Sequence, residues 1–458
     1  MKKTSLYTII LLGCVACATQ PAYQVPEIID TPKTWLNETA TNSIQSAWLT
    51  DLDDGYLTSL ITEALNHNPQ YLAQTTLIDH AEQQLIISGA PRLPTISASV
   101  SSNRVNASSL GSPITSSSFS ATLSLGWEVD VWGKLSATKK QASLNLAAQQ
   151  AQLDRIRQSL VADICNTWYD LIEAQTLLTL YQQRLKNLSG NLDIIESSYQ
   201  QGISTALDVY LARNGMQQEA ARTATQQLAL IDSQQRLQLL LGRYPDGQNF
   251  PIQSLPVLAS TVAAGIPSEL IDRRPDLRSA WLTLMAADAA VAIAHKQRFP
   301  SLTLTGNIGQ SSTEMQNLFS SNNNTWSIAS SLLQPLFNAG TLAAQEQQAR
   351  IQVRQLEQEY QASVLGAFFE VESALARETN LSNQLDQYIE AEKSALAAEH
   401  LSFEQYQRGL VAYTTVLESQ RRAFDSQSTV IQLRRQQLQN RVALYLALGG
   451  DYEIKADQ

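Results

Sequence analysis

The chain has 458 residues, a net charge of −10 and 16% charged residues. That length admits two or three ordinary domains, and the acidic balance excludes the basic patch that marks a nucleic-acid binder. A mean hydropathy of −0.17 with 44% hydrophobic residues fits a folded protein without membrane-spanning helices.

Residues 1–16 read as a secretory signal peptide, with Lys2 and Lys3 ahead of the apolar stretch Leu6–Leu12. That stretch is far shorter than the roughly 20 residues a membrane helix needs. Small residues followed by cysteine point to lipoprotein processing, at Cys17 or, alternatively, at Cys14. Residues 17–54 would then be a lipidated, extended N-terminal segment; several acyl chains on one cysteine anchor firmly where a single chain binds marginally. Cys165 is the one remaining cysteine, so no disulfide framework is available, and it is expected to fill a helix interface as a small hydrophobe. The four histidines, His67, His80, His295 and His400, are scattered without a cysteine or carboxylate at ligand spacing, so neither a metal site nor another cofactor is expected.

From residue 55 the chain repeats itself. Tyr199-Gln-Gln-Gly202 corresponds to Tyr406-Gln-Arg-Gly409, Gly133 to Gly340, and Leu237, Leu241 and Gly242 to Leu444, Leu448 and Gly449, all at an offset of 207. Pro94 pairs with Pro300, and Asn68-Pro69 with Arg274-Pro275, at 206. The repeats are set at 55–250 and 266–450, joined by a linker at 251–265 and followed by a tail at 451–458. Each repeat opens with a short helix (55–67 and 268–273) and a second one (70–88 and 276–297) started by Pro69 or Pro275. A strand follows, about 95–105 or 301–310. Then comes a Ser/Gly/Asn-rich loop at 106–117 or 310–324, and a return strand at about 117–131 or 325–337. A very long helix is expected at 136–188, mirrored at 342–395. At about 53 residues it would extend about 80 Å and needs coiled-coil support. A further helix is expected at 192–241 and again at 398–448, with Gly202 and Gly409 marking a break or a helix–turn–helix tip.

The strands set this chain apart from a plain coiled coil. Phe119, Ala121, Leu123, Leu125, Trp127, Val129 and Val131 alternate strictly with small or polar residues. Arg104, Glu128 and Asp130 are the only charges between 93 and 131, and Glu314 is the only one between 301 and 340. An apolar face backed by Ser, Thr and Gly is the pattern of a transmembrane β-barrel, and 119–131 exceeds the roughly 9–11 residues of a membrane strand. Phe119, Leu123, Leu125, Trp127 and Val129 are therefore expected to face lipid. Four strands cannot close a barrel, and open edges are not left in lipid. Closure demands several chains; three would supply twelve strands. The alternative is a soluble four-stranded sheet packed on a helix.

Across nearly its whole length the chain resembles the TolC-like outer-membrane factors of tripartite efflux systems, in the lipoprotein branch that works with resistance-nodulation-division pumps. The residues that carry the likeness are Cys17-Ala-Thr-Gln-Pro21-Ala-Tyr23-Gln-Val-Pro26, Ala64-Leu-Asn-His-Asn68-Pro69, Trp127-Glu-Val-Asp-Val-Trp-Gly133, Ile266 through Leu277, Phe299-Pro300-Ser301 and Tyr406-Gln-Arg-Gly409. The cysteine-to-Pro-Tyr spacing of the branch matches Cys17. The resemblance implies a mainly α fold with a transmembrane β-barrel part. It implies an internally duplicated chain with long helices and four strands, and a homotrimer that closes a twelve-stranded barrel continued by an α-helical coiled-coil barrel. It implies residence in the outer membrane, in contact with its lipid and reaching into the periplasm. The activity it implies is passive export of drugs or other small molecules, delivered by an inner-membrane efflux pump through a periplasmic adaptor protein. A channel for type I protein secretion is the alternative; an enzyme is the least supported reading, since no nucleophile–base–acid set stands out.

Two sites carry over from the resemblance. Gly202-Ile203-Ser204 and Gly409-Leu410-Val411 resemble the adaptor-docking tips, and a plain helix-hairpin glycine is the alternative. The stretch from Tyr413 to Arg421 matches the periplasmic aperture: Glu418 and Arg421 share a helix face at i and i+3, with Thr414 one turn earlier. Asp208 and Arg213 of the first repeat are further candidates. Glu418 stands where Asp is common in the branch and Thr414 where a bulky apolar residue is common, which puts a hydrophobic constriction in doubt. The alternative for all of these is a solvated helix face.

Overall fold

The computed structural model describes residues 54–109, 112–251, 254–258 and 267–450, together with 32, 34–36 and 49. The expected signal peptide, Cys14, Cys17, most of the linker and the 451–458 tail lie outside the described residues. In chain order the elements are α1 (Gly55–His67), α2 (Pro69–Gly89), β1 (Thr95–Ser109), β2 (Ser112–Val129), α3 (Lys134–Gln200), α4 (Ala206–Leu240), α5 (Pro267–Arg273), α6 (Pro275–Lys296), β3 (Ser301–Ser312), β4 (Asn324–Leu333), α7 (Thr341–Gln407) and α8 (Tyr413–Ala447). The second six repeat the first six in order and kind. The mates α3 and α7 both have 67 residues, and α4 and α8 both have 35.

Several boundaries differ from the sequence reading. The long helices run on to Gln200 and Gln407 instead of stopping near 188 and 395, and reach about 100 Å each. Gly190, just past the expected end at 188, lies inside α3 with open space where a Cβ would stand. A glycine in a helix weakens it by about 1 kcal/mol without ending it. The chain turns instead where glycine takes positive φ, at Gly202 (78°) and Gly409 (71°), so α4 and α8 start later than expected. The 106–117 stretch, read as a loop, is almost all strand, because β1 reaches Ser109 and β2 begins at Ser112. Backbone pairing needs no apolar side chain, so a Ser-rich strand leaves no alternation to read. In turn β4 stops at Leu333, two residues before Pro335, which has no N–H to give to a ladder. At the helical side, α6 is long and apolar enough by composition to cross a bilayer, contrary to the hydropathy reading. Here its Leu284 and Val291 are buried with Val353 of α7, and its Ser279 hydroxyl donates to Ala148 O at 2.9 Å.

The described chain forms two compact units. One holds residues 76–151 and 278–363, and so the whole sheet. The sheet is antiparallel in the order β1-β2-β3-β4, with β1 and β4 at its edges. Below the strand ends, Trp132 stacks on Phe299 at 5.3 Å and donates its indole N–H to Pro300 O at 2.7 Å. Asp130 starts α3. Its carboxylate accepts from the N–H groups of Leu135 (2.9 Å) and Ser136 (2.8 Å) and from the Ser136 hydroxyl (2.6 Å). Burial alone would push that carboxyl up; the Ser136 hydroxyl and the two N–H donors outweigh it and hold the pKa below its ordinary value. Nearby, Glu346 takes Arg298 at 2.9 Å, Arg350 at 2.8 Å and His295 at 3.3 Å.

The other unit holds the described residues within 31–75, 152–277 and 364–450. Its core is built by coiled-coil seams. Val161, Ile164, Trp168 and Leu171 of α3 are fully buried at spacings of three and four, and Val364, Ala367, Val371 and Ala374 of α7 repeat that pattern. Cys165 is buried among them as expected, and burial pushes its thiol far up, which leaves it inert. The duplication is visible atom by atom. Asn68 donates to Leu240 O at 2.8 Å, and its counterpart Arg274 donates to Ala447 O at 3.1 Å. Arg274 is almost fully buried and is neutralised by Asp276 (2.7 Å) and Glu370 (2.6 Å). Gly242 and Gly449, at φ 73° and 66°, press against the backbone that ends α1 and α5. A Cβ on Gly242 would stand 2.3 Å from His67 O, and one on Gly449 3.0 Å from the Arg273 carbonyl carbon.

Candidate functional site

Antiparallel partners share one face of a sheet, so the strand register defines two faces here. On one, Ile96, Leu125, Gly306 and Ile328 form a row, and Ala98, Leu123, Ile308 and Trp326 form the next. On the other, the matching rows are Ser97, Ser124, Asn307 and Ser327, then Ser99, Thr122, Gly309 and Thr325. The apolar face is continuous across all four strands, and much of it is bare: Ile96 is 66% exposed, Trp326 77% and Ile328 81%. Phe119, Leu123, Leu125, Trp127 and Val129 all lie on it by parity. Leu123 and Leu125 are exposed and the other three half-buried; Trp127 donates its indole N–H to Arg92 O at 3.1 Å. At Phe119 the apolar face thins, since its partners are Ser102 and Ser312.

In the other unit the two helix hairpins end in matching turns. Gly202 N–H donates to Tyr199 O (3.0 Å) and Ile203 N–H to Ser198 O (2.9 Å). Gly409 N–H donates to Tyr406 O (2.8 Å) and Leu410 N–H to Gln405 O (2.9 Å). Both are Schellman turns, in which a left-handed residue lets the last carbonyls of a helix find donors. The turns leave apolar side chains in the open: Ile203 is 75% and Leu410 68% exposed, while Ser204 and Val411 are half-buried. Between the hairpins, Leu192, Ile195, Val209, Ala212, Tyr413 and Val416 form a small core. The Ser204 hydroxyl lies 3.2 Å from the Tyr406 hydroxyl.

Asp208 and Arg213 do not meet. Asp208 closes a capping box with Thr205, accepting from Thr205 N–H at 3.1 Å while its own N–H donates to Thr205 Oγ1 at 3.2 Å. Arg213 pairs with Glu196 at 2.7 Å. Glu418 and Arg421 do meet: both Glu418 oxygens accept from Arg421 Nη2 at 2.9 Å. Sequence reasoning missed Arg422, whose Nε donates to Glu418 at 2.8 Å, and Asp425, 3.4 Å from Arg421. Their signal was present, since both stand at i+4 from their partners. Hydrogen bonds from Arg421 and then Arg422 hold the Glu418 carboxyl below its ordinary pKa, and Glu418 raises that of Arg421. Thr414 is exposed on the same helix. The row offers alternating fixed charges to solvent on one face of α8. Among the described residues no group of His, Cys, Asp or Glu is arranged to hold a metal ion.

Comparison with known proteins agrees with this geometry. The family described as outer membrane efflux protein matches residues 60–243 and again 266–450. The pyoverdine export outer membrane protein OpmQ of Pseudomonas putida is 30% identical over 465 residues, covering 96% of both chains. The cation efflux system protein CusC of Escherichia coli K12 is 28% identical over 453 residues, covering 96% of this chain and 98% of its own. The solved outer-membrane channel OprN superposes with a TM-score of 0.89 at 22% identity over 95% of this chain and 100% of its own, which speaks for the fold. The chain belongs to the outer membrane efflux protein family: it is an efflux channel component of the outer membrane, and it carries the family's matched region twice.

Proposed function

We propose that three copies of this chain form a passive duct that carries drugs or other small molecules out across the outer membrane. The observation that carries the reading is the sheet. It is open at β1 and β4, apolar on one face and lined with Ser, Thr and Asn on the other. An edge left unpaired in lipid is costly, and pairing β1 of one copy with β4 of the next satisfies both edges. Closing three sheets this way gives a barrel of about twelve strands with lipid outside and a polar lumen. In this reading Phe119, Leu123, Leu125, Trp127 and Val129 contact outer-membrane lipid.

The two tips, Gly202-Ile203-Ser204 and Gly409-Leu410-Val411, dock the helical hairpins of a periplasmic adaptor, which joins the duct to an inner-membrane efflux pump. Their exposed apolar side chains support that role, because helical partners bury such anchors. Glu418 and Arg421, with Thr414 a turn before, form the periplasmic aperture together with Asp208 and Arg213 of the first repeat, and the charge row on α8 supports it. Residues 1–16 are removed as a signal peptide and Cys17, with Cys14 as the alternative, carries the lipid. The boundaries at 55–250 and 266–450 delimit the two repeats.

Removing the gene and measuring small-molecule accumulation and protein secretion separately tests the reading. Accumulation of pump substrates rises and secretion is unchanged if it holds. Lost secretion with unchanged accumulation would instead make the chain a protein-secretion channel.

A further inference from the structure

Below the tip core lies a polar cluster that the tips and the exposed charge row do not use. Glu219 of α4 is 1% exposed, and one of its carboxylate oxygens has no hydrogen-bond partner among the described residues. Arg184 of α3 stands 3.3 Å from its other oxygen, and the half-exposed Arg222 3.7 Å away. Among the described residues Arg184 Nη1 and the buried Gln420 Oε1 of α8 have no hydrogen-bond partner, and Arg184 Nε faces Glu219 as an ion pair without hydrogen-bond geometry. A cavity of about 150 Å³ opens beside them, lined by Arg184, Gln420, Phe424 and Glu399 of α7 among others. The guanidinium of Arg184 lies over the Phe424 ring, 4.2 Å from its centroid. Burial pushes the Glu219 and Glu399 carboxyls up and the Arg184 guanidinium down, which marks charges held against their own solvation.

Each hairpin is well packed at its tip, yet here four helices meet around groups that find too few partners. Buried polar groups in folded proteins are almost always satisfied, and an exception asks for a reason. A joint that must part offers one. Its contacts hold the helices in register, and water satisfies the freed groups once they separate. α8 makes the consequence specific. It turns Gln420 and Phe424 inward to this cluster and carries Glu418 and Arg421 on its exposed face.

We propose that Arg184, stacked on Phe424 and drawn to Glu219, is a releasable clasp that holds α8 against the first hairpin, and that its release lets the Glu418–Arg421 row move. The functional half of this inference rests on the reading of that row as the aperture; the clasp itself does not. Arg184 faces Glu219 and Arg222 from α4, Glu399 from α7 and Asp425 from α8, so no single partner fixes it.

The test uses the full-length protein in lipid. Spin labels at Gln217→Cys on α4 and Thr415→Cys on α8, both exposed, report the separation of the helices. Planar-bilayer recording reports the open fraction. Arg184→Met with Glu219→Gln removes both charges of the pair together, so neither is left buried without the other; Arg184→Lys keeps the charge and loses the flat stack. The double variant is expected to broaden the distance distribution and raise the open fraction about two- to thirtyfold, the range between an exposed and a desolvated cation–π contact, with Arg184→Lys between it and the unaltered protein. Unaltered distances in both variants overturn the clasp, whatever Glu418→Gln does. Broadened distances with unaltered conductance in both the double variant and Glu418→Gln sustain the clasp and remove the aperture reading instead.

Discussion

Replacing Gly242 with alanine is the sharpest test of how each long hairpin is seated. Four turn glycines share nearly one φ, between 66° and 78°, so a left-handed alanine penalty of about 1–2 kcal/mol applies equally to Gly202, Gly409, Gly242 and Gly449. What differs is space. At Gly202 and Gly409 an added Cβ meets nothing, whereas at Gly242 it stands 2.3 Å from His67 O, about 1 Å inside contact. The obstacle is backbone at the end of α1, held by Asn68 to Leu240 O, so it cannot swing aside as a side chain would. Forcing packed backbone apart adds about 1–3 kcal/mol. Gly242→Ala should therefore destabilise by about 2–5 kcal/mol, Gly202→Ala by about 1–2 kcal/mol, and Gly449→Ala should fall between. Denaturant unfolding of the detergent-solubilised protein followed by helical circular dichroism measures the order. Equal effects at Gly242 and Gly202 would refute the close approach of the hairpin end to α1.

Three further outcomes follow from the geometry. Leu123→Arg places a charge on the bare apolar face and should weaken membrane assembly by about 2–4 kcal/mol near the bilayer centre, whereas Ser124→Arg, one residue on but facing the polar side, should leave assembly intact; the yield of heat-resistant oligomer after reconstitution separates them. Burial alone would push the Glu346 carboxyl up, but hydrogen bonds from Arg350, Arg298 and His295 hold it at about 2 against an ordinary 4.5. A depressed carboxylate stabilises the fold above about pH 4.5, and that stability is lost as pH falls toward 2, so Glu346→Gln should remove about 2 kcal/mol at neutral pH, with allowance for the half-exposed arginines, and almost none near pH 2. A pH series of unfolding midpoints that shows the same deficit throughout would contradict it. Mass analysis of the mature chain should find the lipid lost in Cys17→Ala and kept in Cys14→Ala, and the reverse result would assign Cys14.

Much of this was legible in the sequence because its signals are periodic. Alternation from Phe119 to Val129 gave the sheet its faces, and matching spacings gave the duplication down to the pairing of Asn68 with Arg274, though not the carbonyls that each would meet. The features that stayed hidden are those without periodicity. The Ser-rich ends of β1 and β2 carry no run of alternating apolar residues, so their length left no trace. Gly190 and Gly202 look alike in a sequence and differ only in φ, which is decided by whether the chain must turn there. The Glu418–Arg421 pair was readable from helix geometry. The Arg184–Glu219–Phe424 cluster was not, because its members come from three helices and meet only when the two hairpins pack.

The proposed duct stands or falls on whether three open sheets close one barrel around a polar lumen. Electron cryomicroscopy of the purified full-length chain in lipid nanodiscs tests it most directly. The expected result is a threefold particle in which β1 of each copy pairs with β4 of the next, with Leu123, Leu125 and Ile328 against lipid and Ser97, Ser124 and Asn307 on the lumen. A particle whose sheet packs its apolar face on protein, outside the lipid and with unpaired edges, would contradict it.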